Sequence, residues 1–115
     1  MSDANISWEG PALKLLDRRD RYTRNAILED FGRDPQHRAI ELGPDSFLTP
    51  VADERFSVLW RRVDGGQRVS VRAVVPLTNV KFDAAAFKDK PDKLEELRAY
   101  VKRVVKSESK VEIDL

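Results

Sequence analysis

Apolar and polar residues alternate in two stretches on either side of Asp64-Gly65-Gly66. The first reads Arg55-Phe56-Ser57-Val58-Leu59-Trp60-Arg61-Arg62-Val63, and the second reads Arg68-Val69-Ser70-Val71-Arg72-Ala73-Val74-Val75-Pro76. Period two across a Gly-containing turn predicts a β-hairpin. Moving the turn from Asp64-Gly65 to Gly65-Gly66 slides the register by two residues and leaves the faces unchanged. The pattern puts Phe56, Val58 and Trp60 on one side with Val69, Val71, Ala73 and Val75. The other side takes Arg55, Ser57, Leu59, Arg61, Arg68, Ser70, Arg72 and Val74. One face is expected to be core, with Trp60 inside it, and the other a solvated basic surface.

Upstream, Ile6-Ser7-Trp8 reads as a short strand, and Glu9-Gly10-Pro11 opens a helix carrying Ala12, Leu13, Leu15 and Leu16. Asp20 is a natural N-cap for a second helix through Tyr22, Ala26, Ile27 and Phe31, which Gly32 stops. The two are expected to form a helical hairpin with Arg18, Arg19, Arg21 and Arg24 on its outer surface. Asp34-Pro35-Gln36-His37 is a turn, and residues 39–42 form a short strand or an irregular segment. Phe47-Leu48-Thr49-Pro50-Val51 reads as an edge strand, because Pro50 cannot donate to a central ladder. Pro76 similarly implies that its strand becomes an edge there or leaves the sheet.

Beyond Asn79, Val80 and Phe82 alternate briefly, and Asp83-Ala84-Ala85-Ala86-Phe87 suggests a helical turn. Asp89-Lys90-Pro91-Asp92 then starts an amphipathic helix to about residue 106, with Leu94, Leu97, Val101 and Val104 as its stripe, widened by Val105. Packing of that stripe on the body is the expectation, and a partner helix face is the alternative. Val111-Glu112-Ile113-Asp114-Leu115 alternates like a strand able to join a sheet edge. The expected architecture is a single α+β domain over residues 1–115. An N-terminal helical hairpin packs on a small, mainly antiparallel sheet, and a C-terminal amphipathic helix follows. Residues 6–78 make the body and 79–115 an extension.

Composition narrows the chemistry. The chain of 115 residues has no cysteine and one histidine, His37. Disulfides, thiolate metal sites and a Cys nucleophile are excluded, as are zinc sites built on several histidines. No cofactor is expected. No apolar run approaches the roughly 20 residues that span a bilayer, and the N-terminus lacks signal-peptide character, so a cytoplasmic, bacterial protein without membrane contact is expected. Net charge is +1, but it is unevenly spread. Arg55 to Arg72 holds five arginines against the single acid Asp64. Arginine dominates up to residue 80 and lysine afterwards, which marks a boundary near Asn79.

No phosphate loop, paired-His motif or nucleophile elbow is present, and His37 is expected to be a surface histidine. The candidate binding residues are therefore Arg55, Arg61, Arg68 and Arg72. Four like charges on adjacent strands repel unless a ligand or nearby acids offset them. A phosphate backbone or an acidic protein segment would both serve, and arginine suits either through bidentate contacts.

The order of short strand, two helices, edge strand and long hairpin resembles the RelE/ParE superfamily of bacterial toxin–antitoxin modules. The resemblance rests on Ile6-Ser7-Trp8 before the Leu13–Leu16 helix, on Gly32-Arg33-Asp34-Pro35 closing the second helix, and on Arg55 to Asp64 before a final strand. It spans roughly residues 6–78. RelE-like members cut messenger RNA on the ribosome through the concave sheet face, whereas ParE-like members bind DNA gyrase. Ser57 stands near the position where the nucleases carry an arginine, although Arg55 shares its face. Val74-Val75-Pro76-Leu77 replaces their His-Arg or His-Tyr ending, and neither Tyr22 nor Tyr100 lies on the hairpin. The resemblance thus implies a ParE-like binding protein with an antitoxin-like partner or another macromolecular target, or a homodimer. The alternatives are a RelE-like endoribonuclease and a non-catalytic adaptor of phage or mobile-element origin, with contacts on the Leu94–Val105 stripe and the Val111–Leu115 tail.

Overall fold

A computed structural model describes residues 5–77 and 90–115. The hairpin is its centre: β4 (Phe56–Val63) and β5 (Arg68–Pro76) pair antiparallel around a tight turn at Asp64–Gly66. Gly65 and Gly66 sit at φ 69° and 92°, the left-handed region that glycine enters without a Cβ penalty. The other strands are β1 (Ile6–Trp8), β2 (Ile40–Gly43) and β3 (Ser46–Val51), and the sheet order is β1-β5-β4-β3-β2. β1 runs parallel to β5 and the remaining pairs are antiparallel, so the sheet is mixed. The fold is α+β, with three helices among the described residues: α1 (Gly10–Asp17), α2 (Arg21–Arg33) and α3 (Pro91–Ser109).

Both strand prolines obey the edge rule locally. β3 lies between two strands, yet β2 pairs only with its Ser46–Leu48 half, so Pro50 has β4 on one side and no strand on the other. β1 reaches β5 only at Val69–Val71, which leaves Pro76 in the same position.

The expected faces hold for half the hairpin. Trp60 faces Val71 and Arg61 faces Ser70, as the alternation requires. Between Leu59 and Trp60 the register shifts, and Arg72 is the extra residue on β5. A bulge of one residue exchanges every later side chain between faces. Val74 therefore joins Val58, while Ala73 and Val75 join Leu59 and Ser57, the reverse of the sequence expectation.

Both faces are dry. On the first, Trp60 meets Phe31 of α2 edge-on at 6.2 Å, Phe31 meets Trp8 at 6.1 Å, and Phe47 stacks on Trp60 at 4.6 Å. The indole N–H of Trp60 donates to Thr49 Oγ1 at 2.8 Å, and Thr49 donates to the Pro35 carbonyl, so this buried polar chain is satisfied. On the second, Leu48, Ser57, Leu59, Ala73 and Val75 are also buried, and Ser57 donates to the Val75 carbonyl. The solvated basic face expected here does not exist over the middle of the sheet. The cover is α3, whose Leu97, Val101 and Val105 are buried, with Leu94 and Val104 packed beside them. Burying each such side chain contributes about 2 kcal/mol, so the stripe proposed as a partner face is occupied by the chain itself.

Pro11 sits in the first turn of α1, and Asp20 caps α2 by accepting from Thr23 N at 2.8 Å. The two helices follow the first strand and diverge instead of pairing as a helical hairpin. Glu9 N donates to Val71 O where β1 ends, and α1 continues beside β5, burying Ala12, Leu15 and Leu16. α2 returns over β3. α3 runs to Ser109, three residues past the expected end, and Lys110 closes it in the left-handed conformation. Residues 111–115 form no strand. Their carbonyls are taken by guanidinium groups instead: Arg72 donates to Asp114 O at 2.7 Å, and Arg98 to Leu115 O at 3.1 Å and to Leu42 O. The alternation at Val80 and Phe82 and the turn at 83–87 lie outside the described residues.

Candidate partner-binding site

At the tip of the hairpin the second face emerges from under α3. Ser7, Ser70 and Arg61 stand in a row across β1, β5 and β4, because Ser7 pairs with Ser70 and Ser70 with Arg61. Glu9, one residue past the end of β1, accepts from Ser70 Oγ at 2.7 Å and lies 3.8 Å from the Arg61 guanidinium. Arg68 donates to Ser7 Oγ at 3.1 Å and lies 3.7 Å from Asp64. The two longer separations are ion pairs without a direct hydrogen bond, so both guanidinium groups keep free donors. Both are about half exposed, at 47% and 52%. Arg62 lies on the opposite face, 4.7 Å above the Phe47 ring.

The four candidate arginines are not one cluster. Arg61 and Arg68 share the tip. Arg72 sits at the bulge and holds the C-terminal segment. Arg55 precedes β4 at the other end, where its Nε donates to Ala52 O at 3.1 Å. Five strand residues separate Arg55 from Arg61 at least, a span of roughly 17 Å. Charge counting along the hairpin missed Glu9, which is distant in sequence and reads locally as the residue opening α1. Ser7 was likewise read as part of a strand, with no sign that it would meet Arg68.

Arg55 belongs to a different neighbourhood. Asp20, the cap of α2, has its carboxyl held below the ordinary aspartate range, first by the hydrogen bonds from Thr23 and then by the positive charges of Arg55 and Arg24. The Arg19 guanidinium lies 4.9 Å over the ring of Phe56, the residue after Arg55, so this end of β4 adjoins the bend between α1 and α2.

A concavity of about 580 Å³ opens beside the β3–β4 connection and includes His37, Asp53 and Glu54. Ala52, Asp53 and Glu54 all have positive φ, 52°, 56° and 65°, a left-handed run that costs non-glycine residues strain. Asp30 holds it in place by accepting from Ala52 N at 2.7 Å, and Arg38 pairs with Glu54 at 2.5 Å. Among the described residues no group of three or more His, Cys, Asp or Glu is placed to hold a metal ion. No helix among them is long and apolar enough to cross a membrane.

A short parallel edge strand, two helices and a meander ending in the long hairpin make up an arrangement that is also found in a solved structure. A chain of the toxin–antitoxin complex RelBE2 from Mycobacterium tuberculosis has a similar structure, with a TM-score of 0.52 and 18% identity. The likeness covers 63% of this chain and 95% of that one, and it is a likeness of fold. No family model matches the sequence, and no curated protein does.

Proposed function

We propose that this is a toxin–antitoxin-type protein that acts by binding, ParE-like rather than nuclease-like. Its contact surface is the hairpin tip, where Arg61 and Arg68, with Ser7 beside them, engage an acidic segment of a protein partner. The observation that carries the reading is the RelE-like fold with its second sheet face closed by its own α3. Ser57, Leu59, Ala73 and Val75 are buried where a substrate would have to lie, and Arg55 and Arg72 stand apart from the Arg61–Arg68 pair. The free guanidinium donors at the tip suit a carboxylate-rich segment.

Expression in a bacterial host tests this. Growth arrest without messenger cleavage, relieved by a co-expressed antitoxin-like protein and lost in Arg61→Ala/Arg68→Ala, is the expected result. Cleaved messenger RNA, dependent on the same arginines, would replace binding by nuclease chemistry.

A further inference from the structure

The bend between α1 and α2 presents a second basic surface, remote from the hairpin tip. Residues 14–24 carry Lys14, Arg18, Arg19, Arg21 and Arg24 against Asp17 and Asp20, a net charge of +3 in a chain whose total is +1. The acids do not neutralise the group. Arg24 lies 3.8 Å from Asp17, and Asp20 is engaged as the helix cap. Arg19 is turned inward, over the Phe56 ring at 4.9 Å and against Glu108 at 3.3 Å. Lys14, Arg18 and Arg21 are exposed and have no hydrogen bond or ion pair among the described residues. Tyr22, next to Arg21, is 80% exposed, more than any other large apolar or aromatic side chain among the described residues.

Unpaired arginines beside an uncovered aromatic ring are the combination that recognises single-stranded nucleic acid. The guanidinium groups take the phosphates, and an unstacked base lies on the ring. A duplex offers phosphates but no free base face, and a carboxylate-rich peptide gives the tyrosine nothing to stack on. We infer that this bend binds single-stranded nucleic acid, with Arg18 and Arg21 on the phosphates and Tyr22 under a base. The surface is separate from the tip, so the inference stands whether or not the tip binds a protein.

Fluorescence polarisation with a labelled single-stranded RNA oligonucleotide tests it. Binding is expected at low salt and should weaken steeply as salt rises. Arg18→Ala/Arg21→Ala should weaken it about tenfold and reduce the log–log salt slope by about 1.4, since each phosphate contact to a single strand contributes about 0.7. Tyr22→Ala should cost about tenfold with the slope unchanged, and Tyr22→Phe should restore affinity, because stacking needs the ring and not the hydroxyl. Lys93→Ala/Lys102→Ala, a charge-matched pair of exposed residues on α3, should leave binding near that of the unaltered protein. The side chains replaced are exposed, and a thermal melt confirms that each variant is folded. The inference is overturned by absence of binding at low salt, by equal losses in the α3 pair, by indifference to Tyr22→Ala, or by tighter binding of duplex DNA than of the single strand.

Discussion

The hairpin tip and the α1–α2 bend hold the same kind of residue under opposite conditions. At the tip both arginines of the second face have protein partners, Glu9 for Arg61 and Asp64 and Ser7 for Arg68, although each keeps free donors. At the bend Arg18 and Arg21 have none among the described residues. The tip looked the more basic in sequence, with five arginines against one acid, yet folding brings it the counter-charges. An arginine cluster is thus an electrostatic surface only to the degree that the fold leaves it unmatched.

Several changes would break or sharpen that contrast. The largest effect belongs to Val101→Asp, which buries a carboxylate in the stripe of α3. It should cost more than about 4 kcal/mol in urea unfolding. Undocking α3 would also withdraw the C-terminal carbonyl from Arg72 and free its guanidinium, seen as later elution from an immobilised polyanion.

Glu9→Ala should cost about 1–2 kcal/mol, because Ser70 is buried and loses its charged acceptor. The same measurement on two neighbours separates matched from unmatched within the bend itself. Arg19→Ala should cost about 1–2 kcal/mol through lost contacts to Phe56 and Glu108. Arg18→Ala should stay within about 0.5 kcal/mol.

Asp20→Ala should lower the melting temperature at neutral pH through loss of the α2 cap. The folded carboxyl titrates below the ordinary aspartate value of 3.8. Its contribution is therefore complete above that value and is lost as pH falls through the folded pKa. The difference between Asp20→Ala and the unaltered protein should close in acid, and a difference that persists there would assign the loss to something other than the ionised cap.

Much of the fold was legible because its signals are local. Asp20 with its Thr23 partner, Pro11 and Pro91 in first turns, and the glycines at the β4–β5 turn all act within a few residues. Trp60 was correctly placed in the core. What was not legible depends on contacts between distant segments. One extra residue at Arg72 reversed the faces of Ala73 to Val75, and alternation carries no mark of where a strand will bulge. Arg55 looked like a member of the hairpin face but answers to Asp20, on another element. The stripe of α3 showed that something would cover it, and the described structure shows that the sheet does.

The parallel pair of β1 and β5 also orders events in time. Ile6 leaves the ribosome more than sixty residues ahead of its partner Val69, so the first strand cannot be placed until the last one exists. Ser7 and Glu9 arrive at the tip in that same step, and until then Arg61 lacks its carboxylate and Arg68 has Asp64 alone. Loop-closure entropy makes such distant pairings late ones. An intermediate with the hairpin formed and the N-terminal segment undocked would therefore carry a more cationic tip than the native protein.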